Sequence, residues 1–300
     1  MKFSQAESDV FVPSGTLAAE AALARTTHLC LAAHQDDIEI MAYHGIAACF
    51  GRNDAWFSGV VVTNGAGSPR SGIYADYSDA QMRSVRRDEQ RKAAFLGDYS
   101  IQIQLGHPSS AVKKVERIAP QCAGLEACQT AAPAGVGADL RQIVRTAKAR
   151  VVYLHQPADK HPTHLAVLAH SLAALQELPD EDKPEKVYGC EVWRDLDWLC
   201  DADKQLLDVS PYPSLAAALV GCFDSQITGG KRYDLATAGR RLANATYHTP
   251  HATDRAQAIT WAMDLTPLVR NPALSVVDYT RDHLGRFRDE VETALAAYFP

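Results

Sequence analysis

Ligand-type side chains occur in two short segments of this chain, each directly after a predicted buried strand. The first is Ala33-His34-Gln35-Asp36-Asp37-Ile38-Glu39, which follows the apolar run at residues 28–33. Imidazole and carboxylate groups are normal zinc ligands, and a catalytic zinc keeps a fourth position open for water. His34 and Asp37, three residues apart at the start of a predicted helix, can face the same point. Asp36 is then offset from both and free to take a proton from metal-bound water.

The second segment is His155-Gln156-Pro157-Ala158-Asp159-Lys160-His161-Pro162-Thr163-His164, after the apolar run at residues 151–154. Pro162 suits the first turn of a helix. His161 and His164 would therefore project towards one side of the helix start. An HxxH pair alone is commonly two surface histidines, but in combination with the first segment it favours a metal site.

Helix capping, dinucleotide binding and serine or cysteine catalysis account for these residues less well than a metal site does. Asp36 or Asp37 could simply cap the following helix, because Asp is a preferred N-cap residue. Capping explains neither His34 nor two adjacent carboxylates, whose repulsion a nearby dication would relieve.

Dinucleotide binding requires GxGxxG after the first strand, whereas Asn64-Gly65-Ala66-Gly67 follows another strand without that spacing. The chain has no G-x-S-x-G nucleophile elbow, and nothing places a cysteine beside a histidine.

Short apolar runs alternate with longer helical patterns along the first two-thirds of the chain. The predicted strands are residues 28–33, 57–63, 100–105 and 151–154, and the predicted helices are 38–50, 81–96 (stopped by Gly97), 139–148 and 164–175. This alternation implies right-handed βαβ units. We therefore expect a Rossmann-like three-layer α/β fold with a mostly parallel sheet. Ligands of such sheets bind beyond the carboxyl ends of the strands, where both segments lie.

A chain of 300 residues can form one domain of this class, and we expect a single α/β domain over 1–300. Residues 120–137, rich in Ala, Gly and Pro, are interpreted as a surface excursion. Residues 176–300 are expected to supply pocket walls and C-terminal helices. Their polar and aromatic stretches contain these candidate ligand contacts: Trp193, Trp198, Arg232, Tyr233, Asn244 and His248.

Charge and cysteine usage limit the class of protein. A net charge of −6 argues against a general nucleic-acid binder. We expect no signal peptide, because the first residues lack an apolar segment, and no membrane span, because no apolar stretch is long enough. Seven cysteines without repeated spacing favour free thiols and a cytoplasmic protein, with Cys122 and Cys128 the one plausible disulfide pair. Assembly into a homo-oligomer is left open.

With both segments considered together, the chain resembles the PIG-L/LmbE family of zinc-dependent de-N-acetylases, which are N-acetylglucosaminyl-phosphatidylinositol deacetylase-like. The family motif AHPDDxE corresponds to residues 33–39, and HPDH corresponds to His161-Pro162-Thr163-His164. Between them, the R-x-x-E pattern corresponds to Arg86-Arg87-Asp88-Glu89, followed by Leu96-Gly97. The resemblance covers about residues 27–175.

The resemblance implies Zn²⁺ as cofactor and three ligands: His34, Asp37 and His164. It implies that Asp36 is the general base and that His161 assists as an electrostatic stabiliser or general acid. Arg86 matches an arginine near the substrate cleft and is a candidate substrate-binding residue. Glu39 is expected to steady the first loop.

Three positions depart from the family pattern. Gln35 replaces the motif proline, which removes a fixed φ but no reacting group. Thr163 replaces an aspartate that would pair with His161, and Asp159 is a candidate substitute. The P-D-G usual after the third strand is absent, and residues 106–110 (Gly-His-Pro-Ser-Ser) stand in its place.

The predicted activity is therefore zinc-dependent hydrolysis of an N-acetyl group on a small polar, sugar-like molecule. In this hypothesis metal-bound water attacks the amide and Asp36 takes its proton. Two alternatives stay open. The first is a zinc amidase acting on a thiol conjugate or a larger acyl amide. The second is a catalytically silent metal-binding homologue, because fold does not fix function.

Overall fold

The computed structural model describes residues 1–114 and 135–299. Its centre is one eight-stranded sheet of order β1-β4-β3-β2-β5-β6-β8-β7. The strands are β1 (Asp9–Phe11), β2 (His28–Ala32), β3 (Phe57–Thr63), β4 (Ile101–His107), β5 (Val151–His155), β6 (Lys186–Cys190), β7 (Lys204–Asp208) and β8 (Ile259–Asp264). The five central strands are parallel, and β1, β7 and β8 pair antiparallel at the two edges.

Helices cover both faces of the sheet. They are α1 (Ala19–Ala24), α2 (Asp37–Met41), α3 (Tyr43–Cys49), α4 (Asp79–Leu96), α5 (Ser109–Val112), α6 (Val136–Ala147), α7 (Pro162–Gln176), α8 (Pro213–Gly221), α9 (Asp224–Ile227), α10 (Tyr233–Tyr247), α11 (Thr266–Arg270) and α12 (Val276–Ala296). Successive residues of a strand point to opposite faces. Leu29 and Leu31 accordingly join one core cluster, whereas Cys30 and Ala32 join the other. The predicted Rossmann-like three-layer fold is confirmed.

Helix α4 ends at Leu96 as predicted, but it begins at Asp79, two residues before the predicted start. Its N-terminus has a capping box, in which the Ser78 side chain accepts from the backbone of Gln81 and the Gln81 side chain accepts from that of Ser78. Gly97 is the C-cap residue, but it has a φ of −83°, and the left-handed residue is Asp98 with a φ of 55°. A Cβ at position 97 would lie 2.5 Å from Cε1 of Tyr99, so the glycine permits a close approach.

The single helix predicted for residues 38–50 is wrong. The structure breaks it at Ala42 into α2 and α3. In an uninterrupted helix the carbonyls of Glu39 and Ile40 would accept from backbone N–H groups four residues later. Here Arg241 donates to these carbonyl oxygens, at 2.8 Å to Glu39 and 3.1 Å to Ile40. Periodicity cannot reveal a contact made from about 200 residues away.

The sequence also provided expectations about membrane-spanning helices and about disulfide bonds. No helix within residues 1–114 and 135–299 is long and apolar enough to cross a membrane. The five cysteines of the described residues are all free: Cys30, Cys49, Cys190, Cys200 and Cys222. The predicted pair Cys122 and Cys128, and nearly all of the surface excursion predicted for 120–137, lie outside the described residues.

The contact between α3 and β5 provides a stability prediction. A Cβ at buried Gly45 would lie 2.6 Å from Cε2 of Tyr153, and overpacking of this kind costs about 1–3 kcal/mol. Gly45→Ala is therefore expected to lower the free energy of unfolding by about 1–3 kcal/mol in urea titration.

Gly239→Ala is the matched control, because Gly239 lies inside α10 and a Cβ added there would have no heavy atom within 4 Å. It is expected to raise the free energy of unfolding by about 0.5–1 kcal/mol through reduced backbone entropy. Equal stabilisation by both substitutions would show that the Gly45 contact is not tight.

Candidate metal centre

The two ligand-rich segments meet because their strands are neighbours. β2 and β5 pair in parallel, so the residues that follow them emerge at the same edge of the sheet. His34 and Asp37 lie after β2, at the start of α2. His161 is the N-cap residue of α7, and His164 lies in its first turn. The fold thereby brings together side chains that are 130 residues apart in sequence.

Three ligand atoms form a nearly equilateral triangle. His34 Nδ1 lies 3.2 Å from His164 Nε2 and 3.3 Å from Asp37 Oδ2. His164 Nε2 lies 3.3 Å from Asp37 Oδ2. A zinc ion with three ligands at tetrahedral angles and its usual bond lengths places the ligand atoms about 3.3–3.4 Å apart. The residues present therefore fit a divalent ion without rearrangement.

The electrostatics of the triangle favour positive charge. Asp37 and His164 are both buried, and burial alone would lower the pKa of a histidine. Although burial opposes it, Asp37 and Asp159 raise the pKa of His164 to about 10. His164 and His34 in turn hold the pKa of Asp37 well below its usual value despite its burial. A site that stabilises a proton in this way also attracts a metal cation.

Asp159 supports the triangle from behind. Its Oδ1 lies 3.3 Å from His164 Nδ1, the ring nitrogen that faces away from Asp37. The same carboxylate accepts from the backbone N–H groups of His161 at 2.8 Å and Trp193 at 3.2 Å. A carboxylate behind a ligating histidine fixes its tautomer and orientation. Asp159 thus orients the ring of His164, whereas the sequence suggested it as a partner for the ring of His161.

His155 also lies at the centre, and sequence reasoning did not assign it. Its ring stacks on His164 with the centroids 3.9 Å apart, and its Nε2 lies 3.6 Å from Asp37 Oδ2. That nitrogen already accepts the backbone N–H of Ala33 at 3.0 Å. Because its lone pair is used there, His34 suits the third ligand position better than His155. Its position as the last residue of β5, at the edge of the sheet where ligands bind, could have indicated from the sequence that His155 lies at the site.

Asp36 is held beside the triangle in a strained backbone conformation. Its φ is 91°, a region that residues other than glycine rarely occupy and that clusters at functional sites. Its side chain makes no capping bond to α2, so capping does not explain it. Instead, Arg86 Nη2 donates to Asp36 Oδ2 at 3.1 Å. Burial raises the pKa of Asp36 to about 6, while Arg86 opposes that rise.

Arg86 belongs to a buried chain of charges. The residue is 1% exposed, and its side chain also donates to the carbonyl of Gln35. Its Nη1 lies 3.6 Å from Glu89, which accepts from both the backbone N–H and the hydroxyl of Ser225. Since a buried charge needs such partners, this network ties Asp36 to α4 and, through Glu89, to Ser225 of α9.

His161 has a defined ring orientation. Its Nδ1 accepts the backbone N–H of Thr163 at 3.3 Å, so the neutral ring carries its proton on Nε2. Burial, with His34 and His164, lowers the pKa of His161 to about 4. Thr163, which replaces the family aspartate, thus orients His161 through its backbone.

Two motif residues steady the first loop. Gln35, in place of the motif proline, donates from Nε2 to the carbonyl of Thr63 and to Gln104 Oε1. Glu39 is fully buried and accepts from Gln90 Nε2 at 2.8 Å and Tyr99 OH at 2.7 Å. Both side chains therefore fix the loop through buried hydrogen bonds.

A cavity of about 560 Å³ opens in front of the triangle. Its wall includes His34, Asp36, Asp37, Arg86 and His161, together with side chains from beyond residue 175. Of the six late contacts suggested by the sequence, Trp193 and Tyr233 line this cavity. The other four lie elsewhere: Arg232 in an exposed ion pair with Asp234, Asn244 against Glu191, His248 against Trp261, and Trp198 beside the main core.

Residues 29–175 match the family model described as PIG-L, GlcNAc-PI de-N-acetylase. This stretch is a PIG-L family domain. The resemblance found from the AHPDDxE and HPDH segments is thereby confirmed, and the matched region contains every residue of the triangle. A search of the curated proteins found no match to the chain.

Solved structures share the fold of this PIG-L domain protein. A conserved protein from Thermus thermophilus is 19% identical with a TM-score of 0.54, covering 78% of this chain and 93% of that one. N,N'-diacetylchitobiose deacetylase from Pyrococcus horikoshii is 14% identical with a TM-score of 0.54, covering 79% and 83%. The 4-carboxy-2-hydroxymuconate hydratase from Pseudomonas putida is 16% identical with a TM-score of 0.53, covering 80% and 95%. At these identities the likeness concerns the fold.

The contact between Asp159 and His164 provides a metal-binding prediction. Asp159→Asn removes the carboxylate behind the ligand while keeping its size, and loss of such a partner typically costs 10–100-fold in metal affinity. Competition titration with a chromophoric chelator is therefore expected to show Zn²⁺ affinity reduced about 10–100-fold.

Asp195→Asn is the matched control, since Asp195 is exposed in the loop that follows Trp193. It is expected to leave the affinity unchanged. If Asp159→Asn bound Zn²⁺ as tightly as the wild-type protein, Asp159 would not be needed to orient His164 for metal binding.

Proposed function

We propose that this protein is a zinc-dependent de-N-acetylase acting on a small polar, sugar-like N-acetylated molecule. The observation that carries the proposal is the triangle of His34, Asp37 and His164 with a separate carboxylate, Asp36, held beside it on the cavity wall. A binding site alone needs only the ligands. An additional buried carboxylate, kept by Arg86 in a strained conformation, is what hydrolysis requires of a general base.

The chain supplies the residues for each requirement of amide hydrolysis. His34, Asp37 and His164 would hold the zinc ion, which when bound polarises a carbonyl and makes water more acidic. Asp36 lines the cavity and would take the proton of the attacking water. Arg86 keeps that carboxylate in place through Nη2, which also donates to Gln35. Its Nε and Nη1 have no hydrogen-bond partner among the described residues, so Arg86, which lines the cavity, also stays a candidate substrate-binding residue.

His161 would serve as a hydrogen-bond donor in the reaction. With Nδ1 occupied by the backbone of Thr163, the Nε2–H is the group available to a ligand in the cavity that His161 lines. A donor placed where negative charge develops on the carbonyl oxygen lowers the barrier. The proton that Asp36 takes from water would pass to the leaving amine as the C–N bond breaks, and the products are acetate and a primary amine.

The comparisons support this proposal over other reactions on the same fold. The matched family is described as a de-N-acetylase, and a deacetylase of an N-acetylated sugar shares the fold. A hydratase shares it as well, so the fold alone does not select the reaction. The aromatic rings of Trp193 and Tyr233, in T-shaped contact at 6.1 Å between centroids, offer a surface against which a sugar ring would pack.

Asp36→Asn tests the mechanism most directly. The amide keeps the shape of the side chain but cannot accept the proton of water, so the expected result is normal zinc content and a loss in kcat of at least about a hundredfold. Metal content is measured by elemental analysis, and acetate release is measured by a coupled assay over N-acetylated sugars, amino acids and thiol conjugates.

Asp88→Asn provides the control, because Asp88 is exposed on α4, and it is expected to retain full activity. Unchanged turnover in Asp36→Asn would overturn the assignment of the base. Release of a longer acid instead of acetate would favour the amidase alternative. Absence of any hydrolysis by zinc-loaded protein would favour the catalytically silent alternative.

A further inference from the structure

The cavity wall away from the triangle carries an excess of positive charge. Four cationic side chains line it: Lys113, Lys231, Arg240 and Arg241. None of them has a carboxylate oxygen within 4.0 Å among the residues that the structure describes. The whole chain has 36 acidic against 30 basic residues, so its average composition does not explain the cluster.

The carboxylate on this side of the cavity is already occupied. Glu191 lines the wall, but its Oε1 accepts the backbone N–H of Leu196 at 3.0 Å. Its Oε2 accepts from Asn244 Nδ2 and from the backbone N–H of Trp261, each at 2.9 Å. Burial raises the pKa of Glu191 while nearby Arg240 opposes that rise. Its oxygens are nevertheless used by the backbone of Leu196 and Trp261 and by Asn244, and it makes no ion pair with the four cations.

Two of the cations flank Trp193. Lys231 Nζ lies 5.2 Å from the centroid of its indole ring. Arg240 Nη1 donates to the carbonyl of Val192, the preceding residue, at 2.5 Å. The Trp193 ring is also 6.4 Å from the ring of His161 and nearly parallel to it, at 25°. Trp193 therefore lies next to both Lys231 and His161, and a ligand ring packed on its indole would lie close to both groups.

The other cations of the cavity are less available. Arg241 donates to the carbonyls of Glu39 and Ile40 and is buried. Arg86 is engaged by Asp36 and Glu89. Lys231, by contrast, is exposed, and the guanidinium of Arg240 makes its one described hydrogen bond through Nη1.

We propose that the substrate carries an anionic group, a phosphate or a carboxylate, on its amine-bearing part, and that Lys231 and Arg240 bind this group while the ring rests on Trp193. The inference rests on the proposed deacetylation and specifies its substrate class. Ammonium and guanidinium groups are the standard protein ligands of phosphate and carboxylate. One or two such charged contacts correspond to a preference of about 10–100-fold.

Matched substrates test the proposal. The probes are N-acetylglucosamine, its 6-phosphate, and the uronic acid in which C6 is a carboxylate. The zinc-loaded wild-type protein is expected to show kcat/KM at least about tenfold higher for an anionic probe than for the neutral one. The phosphate and the carboxylate probes distinguish the two sources of charge. The preference is expected to weaken as salt is raised, because salt screens exposed charges.

Variants connect the preference to the two residues. Lys231→Gln and Arg240→Gln are each expected to reduce the ratio of kcat/KM for anionic over neutral probe, and the double variant is expected to bring it near one. Arg240→Lys keeps the charge and is expected to retain part of the ratio. A merely structural defect would lower both rates and leave the ratio unchanged. Arg232→Gln is the matched control, because this neighbouring side chain pairs with Asp234 outside the cavity wall.

Binding of glucosamine 6-phosphate and of glucosamine is compared by calorimetry. Because this measurement requires no hydrolysis, it tests the anionic subsite separately from the proposed deacetylation. Tighter binding of the phosphate to wild type, lost in the double variant, supports the anionic subsite even if no probe is hydrolysed. Equal kcat/KM and equal affinity for neutral and anionic molecules would overturn the proposed anionic subsite. A preference for the anionic molecules that persists in the double variant would overturn it as well.

Discussion

The buried carboxylate of Asp37 is the group around which the site is organised. It lies within 3.3 Å of imidazole nitrogens from His34 and His164, which reach it from the ends of two adjacent parallel strands. A buried charge is costly unless it is paired, so this arrangement requires β2 and β5 to be neighbours and α2 and α7 to begin at the same edge. A second buried carboxylate, Asp159, balances the positive charge that the first one attracts.

The surrounding layer is built from distant parts of the chain. Arg86 from α4 donates to the side chain of Asp36. Arg241 from α10 donates to the carbonyl oxygens of Glu39 and Ile40, near the C-terminus of α2. Both arginines are buried, and each donates to backbone or side-chain oxygens next to the proposed metal ligands. Helices α4 and α10 therefore both line the cavity and fix the conformation of the first loop.

A deacetylase and a hydratase share this fold, so the reaction depends on the side chains in the cavity more than on the sheet. In the proposed function, the triangle, Asp36 and His161 form the reacting end of the cavity. Trp193, Lys231 and Arg240 form the proposed other end, where a ring and its charged substituent would bind. Asp159 links the two ends, because its carboxylate lies 3.3 Å from His164 Nδ1 and accepts the backbone N–H of Trp193.

The sequence by itself determined the class of fold, the strands that carry the site and the two segments that meet there, because period-2 and period-3.6 patterns are local and parallel strands end at a common edge. It did not reveal the break at Ala42, the stacking of His155 on His164, the burial of Arg86, or which late aromatic residues line the cavity. Each of these depends on contacts between residues far apart in sequence, such as Arg241 with Glu39. Local periodicity carries no record of such contacts, so only the tertiary structure decided them.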